Sequence, residues 1–321
     1  MRFFVLLTLG TGLGIAIPEG ALAQGDPLDA YDRRLNRVSP GIFWTEIGLS
    51  TVYDTNIEQN AAYLEGPGLI GNFHAQLRSS RRRPLIRIDY MGMIQQFRAS
   101  QAWNRDTHSL LGVLHQRLGP IALEAIGSWN ANGQTEDREI ADAYLFSPRV
   151  SIRFRGHRLR AYGRHWARDF EQDDRKETIR TLGGDLRLRP FVSVELELGY
   201  RYEEGDSDRG RSRFVRRSIT ARWRTRLTDR TTLVVEGDRR VRTYPERWVE
   251  EYGIEKPTRD VRWIPGAYLS QGRSPGPEMR LGYEYQLRSS NDPRRDYEAH
   301  RVTLSFRVPF IGWFREDEPG H

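Results

Sequence analysis

The sequence predicts an all-β chain closing into one transmembrane antiparallel up-and-down β-barrel of about fourteen strands, within a range of 12 to 16. Three observations predict it. Apolar and polar residues alternate with a period of two, the alternating segments are about 10–15 residues long, and tight turns interleave with longer polar links.

Composition narrows the alternatives first. The 321 residues are 38% hydrophobic, 11% aromatic and 29% charged, which is too apolar for a disordered chain. Beyond the N-terminus no run approaches the ~18 apolar residues of a membrane helix. Cysteine is absent, which excludes disulfide frameworks, thiolate metal sites and thiol nucleophiles. The formal charge is +7, and every basic residue except Lys176 and Lys256 is arginine.

The opening residues read as an address. Met1-Arg2 is a positive start, Phe3 to Ile17 is an apolar run, Pro18 breaks it, and Ala21-Leu22-Ala23 offers a cleavage site. Residues 1–23 are therefore expected to be a signal peptide for export to an outer membrane. Residues 24–42 form a polar periplasmic leader, 43–310 the barrel, and 311–321 a periplasmic tail.

Alternation is clearest at 192–202, where Val192, Val194, Leu196, Leu198, Tyr200 and Tyr202 oppose Ser193, Glu195, Glu197, Gly199 and Arg201. Residues 213–227, 277–288 and 297–310 repeat it. A helix would scatter these apolar residues, because i and i+2 lie on nearly opposite sides. The other strands fall near 43–54, 67–79, 84–98, 107–118, 120–130, 143–155, 157–169, 177–189, 230–243 and 259–271. Of these, 107–118, 230–243 and 259–271 alternate poorly. Crossing a bilayer takes about 9–11 tilted residues plus overhang, so the lengths favour a membrane barrel over a sandwich.

Long links follow the odd strands, at 55–66, 99–106, 131–142, 170–176, 204–212, 244–258 and 289–296. Tight ones follow the even strands, at Arg81-Arg82-Arg83, Gly119-Pro120, Gly156-His157, Arg189-Pro190, Thr228-Asp229-Arg230 and Ser274-Pro275-Gly276. Short periplasmic turns and longer extracellular loops produce this pattern in outer-membrane barrels. Closure is then obligatory, since a sheet edge in lipid leaves backbone groups unpaired. Tyr53, Trp129, Tyr200, Tyr202, Trp223, Tyr283 and Tyr285 are the candidates for an aromatic girdle at the interfaces.

The first strand ends in Tyr53-Asp54-Thr55-Asn56. It resembles the Tyr-Asp-Ser-Asn signature in the first strand of porin-like β-barrels of Gram-negative bacteria, and of the barrel part of surface lipoprotein assembly modifiers. Thr55 stands in place of the usual Ser, and the residues before Phe43 are not expected to form the helical-repeat domain that precedes the barrel in the assembly modifiers. The closing strand Arg301 to Phe310 is similar to the terminal strand read by the outer-membrane insertion machinery, with the tail from Ile311 as a departure. The resemblance implies outer-membrane lipid and that machinery as partners.

Arginine concentrates on the polar faces. Arg153, Arg155, Arg160, Arg164, Arg187, Arg222, Arg224, Arg280 and Arg301 are the candidate pore-lining and anion-binding residues, and Arg87, Arg226, Arg240, Arg242, Arg288 and Arg307 share that parity. Glu124, Asp185, Glu195, Glu197 and Glu284 are the candidate carboxylate partners inside the lumen. A cationic surplus in a narrow tube concentrates anions, and guanidinium forks suit carboxylate, sulfate or phosphate. The expected function is a porin-like channel favouring small anionic solutes or acidic oligosaccharides. The alternative is a non-conducting structural or assembly barrel acting through its loops. A lipid-modifying enzyme is the weakest rival: His74, His108, His115, His157, His165, His300 and His321 show no HExxH spacing, and no nucleophile elbow is present. No catalytic, cofactor or metal site is assigned, and no nucleic-acid partner is expected, because the charge is spread along strands without a reading motif.

Overall fold

The computed structural model describes residues 43–56, 65–79, 85–99, 104–134, 140–170, 174–251, 254–272 and 276–311. Fourteen strands follow one another: β1 (Phe43–Asp54), β2 (Gly66–Arg78), β3 (Leu85–Phe97), β4 (Arg105–Leu118), β5 (Ile121–Gln134), β6 (Ile140–Phe154) and β7 (His157–Phe170). They continue as β8 (Arg175–Phe191), β9 (Val194–Ser207), β10 (Phe214–Arg226), β11 (Thr231–Glu251), β12 (Ile254–Gly272), β13 (Glu278–Ser290) and β14 (Tyr297–Ile311). Every strand pairs antiparallel with its chain neighbours, and β1 also pairs with β14, so the sheet is a closed up-and-down barrel. No α-helix occurs among the described residues; Gly210–Ser212 and Pro293–Arg295 are single 3-10 turns.

The expected signal peptide, the leader and the tail beyond Ile311 lie outside the described residues. So do Arg81-Arg82-Arg83, the first two residues of Ser274-Pro275-Gly276, most of the link at 55–66 and half of that at 99–106.

The period of two sorts each strand onto two faces. Along β1, Trp44, Glu46, Ser50, Val52 and Asp54 are buried inward, while Ile47, Leu49 and Tyr53 are exposed outward. Along β6, Ala143, Leu145, Ser147 and Arg149 point in, and Tyr144, Phe146, Val150 and Ile152 point out. The exterior is thus an apolar surface around the whole barrel, the reverse of a soluble fold. β4 carries leucine on both faces, with Leu110 and Leu114 exposed outside and Leu111 and Val113 buried inside, which explains its weak alternation. Those two inward residues join Ile126, Leu145, Trp166, Ile179, Phe214 and Tyr244 in an apolar cluster on the inner wall.

Glycines relieve crowding on the inner face. Phe97, Tyr162 and Phe214 each lie directly across from a glycine, namely Gly68, Gly183 and Gly205, and each ring fills the place a Cβ would take.

Besides a turn that falls at Val192-Ser193 instead of Arg189-Pro190, which lies inside β8, two sequence expectations are corrected. The link expected at 244–258 is mostly strand: β11 and β12 are 21 and 19 residues long and pair to their tip at Glu251 and Ile254. The ladder skips between Tyr244 and Trp248, where Pro245 lacks a donor, and then resumes with Trp248 opposite Pro257. That interruption breaks the alternation and imitates a loop. Secondly, Arg155 is not on the wall. It occupies the two-residue turn between β6 and β7, with φ of 47° at Arg155 and 87° at Gly156, the left-handed pair that a type I′ hairpin needs.

Candidate functional site

Residues paired across strands share a face, so the register turns the sequence into rows of inward side chains. One row runs through Arg158, Arg187, Glu197, Arg222, Glu236, Gly266, Glu284, Arg301 and Asp54, from β7 around to the β1 seam. Opposite charges meet along most of it. Arg187 reaches Glu197 at 3.2 Å, Arg222 reaches Glu236 at 3.5 Å, and Arg301 lies 3.7 Å from Glu284 and 2.5 Å from Asp54. Two residues further along β7, Arg160 faces Asp185 at 2.5 Å, and Arg158 reaches the same carboxylate at 3.1 Å.

The row beyond these differs in kind. It runs Tyr162, Gly183, Arg201, Ser218, Arg240, Arg262, Arg288 and Tyr297, without a carboxylate. Arg240, Arg262 and Arg288 stand directly beside one another on β11, β12 and β13. Like charges placed opposite repel, so acceptors must come from neighbouring rows. Arg240 donates to Asp238 from Nε at 2.8 Å and from Nη2 at 2.6 Å, Arg262 donates to Gln286 Oε1 at 2.6 Å, and Arg288 pairs with Asp260. In the next row, Arg216 pairs with Glu203 from the adjoining strand.

Among the described residues, twelve arginines are buried against seven buried carboxylates, and all of them face the interior. Arg160, Arg164, Arg201, Arg222, Arg240 and Arg262 border a cavity of about 160 Å³ that opens to solvent. Several guanidiniums lie on aromatic faces, as Arg164 does over Tyr162 at 4.4 Å, Arg242 over Phe214 at 4.5 Å and Arg280 over Tyr268 at 4.4 Å. The wall presents planar cations held flat against aromatic rings.

Of the residues singled out from sequence, Arg160, Arg164, Arg187, Arg280 and Arg301 are buried on the inner face and Arg222 is half-buried there. Arg153 and Arg224 have inward parity but are exposed near the turn end. Each predicted carboxylate contacts a basic residue: Glu124 with Arg149 at 3.6 Å, Glu195 with Arg189 at 2.8 Å, and Asp185, Glu197 and Glu284 as above. All seven girdle candidates face outward, with Tyr202 and Tyr285 half-buried and the rest exposed. Sequence reasoning missed Arg149, Arg158, Arg216 and Arg262. Arg216 and Arg217 are a doublet, so charge alone gives no parity, and Arg262 lies in the poorly alternating β12.

The Tyr53-Asp54-Thr55-Asn56 segment has a structural task. Asp54 Oδ2 accepts from Arg301 Nε at 2.9 Å and Nη2 at 2.5 Å, while its Oδ1 accepts the Asn56 backbone N–H at 2.9 Å. Thr55 N–H donates to the His300 carbonyl at 3.0 Å, and the His300 N–H returns to Thr55 Oγ1 at 2.8 Å. Asn56 Nδ2 donates to the Glu298 carbonyl at 3.3 Å. These bonds zip the last strand onto the first at the loop end of the seam.

Histidines outside the lumen form two similar arrangements. Tyr90 Oη is bonded to His108 Nδ1 at 2.8 Å with Asp106 at 3.4 Å from Nε2, and Tyr283 Oη to His300 Nδ1 at 2.8 Å with Glu298 at 3.2 Å. No group of three or more His, Cys, Asp or Glu among the described residues is placed to hold a metal ion.

No protein-family model and no curated protein sequence matches the chain. Its fold is that of outer-membrane β-barrels. OmpT of Vibrio cholerae superposes with a TM-score of 0.52 at 8% identity, over 84% of this chain and 97% of that one. The outer membrane channel DcaP of Acinetobacter baumannii gives 0.53 at 7%, over 84% and 96%. A bacterial polysaccharide outer membrane secretin gives 0.53 at 9%, over 85% and 99%.

Proposed function

We propose that this barrel spans an outer membrane as a porin-like channel whose arginine-rich lumen favours anionic solutes. The observation that carries the reading is the excess of buried arginines over buried carboxylates, together with the row in which buried Arg240 and Arg262 and half-buried Arg288 adjoin with no acid among them. In a low-dielectric tube such a surplus raises the local concentration of anions. The apolar exterior supports residence in lipid, because exposed Ile47, Leu69, Ile94, Tyr144, Phe146, Leu182 and Leu281 have no other solvent that suits them. Export through the expected signal peptide and insertion by way of the Arg301–Phe310 strand belong to the same reading.

Bore size limits the solute. About eight strands leave room only for side chains and 16–18 leave an open channel, so fourteen strands lined with long guanidinium arms form a restricted passage. Small carboxylates, or an extended acidic oligosaccharide that exchanges one fork for the next, fit that passage. A polysaccharide secretin among the similar folds agrees with the oligosaccharide branch. The reading assigns no catalytic step.

The density of internal ion pairs favours a second reading, a sealed barrel that acts through its loops. Proteoliposome swelling separates the two. Uptake of a uronic-acid disaccharide several-fold faster than a neutral disaccharide of equal size supports the channel; no uptake of either supports the sealed barrel.

A further inference from the structure

Three arginines gather on the outside of the barrel on adjacent strands. Arg217 on β10, Arg239 on β11 and Arg259 on β12 have outward parity, and they frame Val241: Arg217 is directly opposite it, Arg239 precedes it by two residues, and Arg259 is diagonal across the β11–β12 ladder. Each lies within roughly 8 Å of Val241, and the arms of Arg239 and Arg259, four register positions apart, lean over Val241 from either side to meet one multivalent anion beside Arg217. None of the three forms an ion pair with another described residue, and the Arg239 guanidinium lies over the Trp263 ring at 5.2 Å. Glu204, diagonal to Arg217 on the outer face, accepts from the Tyr202 hydroxyl at 2.6 Å. Elsewhere on the exterior at this end the acids Asp106 on β4, Asp169 on β7 and Glu298 on β14 are mixed with the bases Lys176 and Arg180 on β8.

The surroundings are those of a lipid interface. Tyr200, Ile219, Arg239, Trp263 and Leu287 follow one another in a single outward row, with Tyr202 beside Arg217 in the next. Arginine in such a row holds its stem against apolar neighbours and lifts its head to the phosphate layer. We propose that Arg217, Arg239 and Arg259 dock the phosphate of a lipid headgroup in the leaflet at the loop end. Charge complementarity selects a headgroup with a doubly charged phosphomonoester over a zwitterion, and the flanking Tyr202 and Trp263 pack the acyl–headgroup boundary. The site rests on the membrane reading but not on conduction through the lumen.

The test uses the full chain in phosphatidylcholine vesicles doped with lipid brominated on its acyl chains, carried either by phosphatidic acid or by phosphatidylcholine, with tryptophan quenching as the readout. Phosphatidic acid should quench more than phosphatidylcholine at equal mole fraction. The preference should fall roughly fivefold for each guanidinium removed in Arg217→Gln, Arg239→Gln and Arg259→Gln, and shrink with salt in the unmodified protein. The variants should keep their heat-modifiable gel mobility, since all three side chains are outside. Equal quenching by both lipids in the folded, inserted protein overturns the proposal, as does displacement by millimolar inorganic phosphate, which would make the patch a free-anion site. Conversion of a cross-linked oligomer to monomer by the triple variant also overturns it, because the patch would then face another copy of the chain. Absence of quenching by either lipid means no insertion and overturns the membrane reading itself.

Discussion

Replacing Asp54 by Asn isolates the energetics of the seam. The Asp54 side chain is 1% exposed and Arg301 is 6% exposed, so the pair is as withdrawn from water as any in the barrel. Removing one partner of such a pair costs about 3–5 kcal/mol, because the other charge stays buried without its counterion. Two features reduce the loss here. Asn still accepts the Asn56 N–H and one neutral bond from Arg301, and Glu284 remains 3.7 Å from the guanidinium. The expected destabilisation is therefore about 2–3 kcal/mol. Urea unfolding followed by tryptophan fluorescence in detergent measures it. Arg301→Gln should cost a similar amount, and the double variant should cost less than the sum by about 1–2 kcal/mol, the coupling of a contacting pair. A loss under ~0.5 kcal/mol for Asp54→Asn, or strict additivity in the cycle, would refute the assignment of the Tyr53–Asn56 segment to barrel closure.

Other expectations follow from the same geometry. Gly205→Val puts a branched side chain where the Phe214 ring lies and should cost about 1–3 kcal/mol in the same urea assay, whereas Gly71→Ala, which meets nothing, should be nearly neutral. Gly156→Val forces a branched residue to φ of 87° and should lower stability by about 1–2 kcal/mol, while Arg155→Asn in the same turn should raise it by a few tenths; thermal melts read both signs. Arg240→Gln with Arg262→Gln should cut the chloride-over-potassium preference at least twofold and leave gel heat-modifiability intact; unchanged selectivity would mean that these arginines only brace the wall.

The fold was legible because the bilayer imposes the simplest of patterns. Period-two alternation set the boundaries of β1 and the start of β14 to the residue, and clean alternation at β9 and β13 placed their faces correctly. Legibility failed where that rule was suspended. In β11 and β12, Pro245 and the skipped residues before Trp248 broke the parity, so a long hairpin resembled a loop. In β4 an apolar inner cluster removed the contrast between faces. The candidate site was legible one strand at a time but not across strands. Arg222, Glu197, Glu284 and Arg301 were each identified, but that they fall in one row depends on register, which the turns and bulges set. The adjacent Arg240, Arg262 and Arg288 were hidden for the same reason, and the Arg216-Arg217 doublet supplies both an inner ion pair and the outer patch from consecutive residues.

The most direct measurement of a cation-lined conduit is the reversal potential of single channels in a planar bilayer under a tenfold KCl gradient at neutral pH. The guanidinium excess predicts discrete conductance steps and a potential whose sign marks chloride as the more permeant ion, moving toward zero as the salt on both sides is raised and the wall is screened. Inserted protein that passes no current, or a potential of the opposite sign marking potassium as favoured, contradicts it.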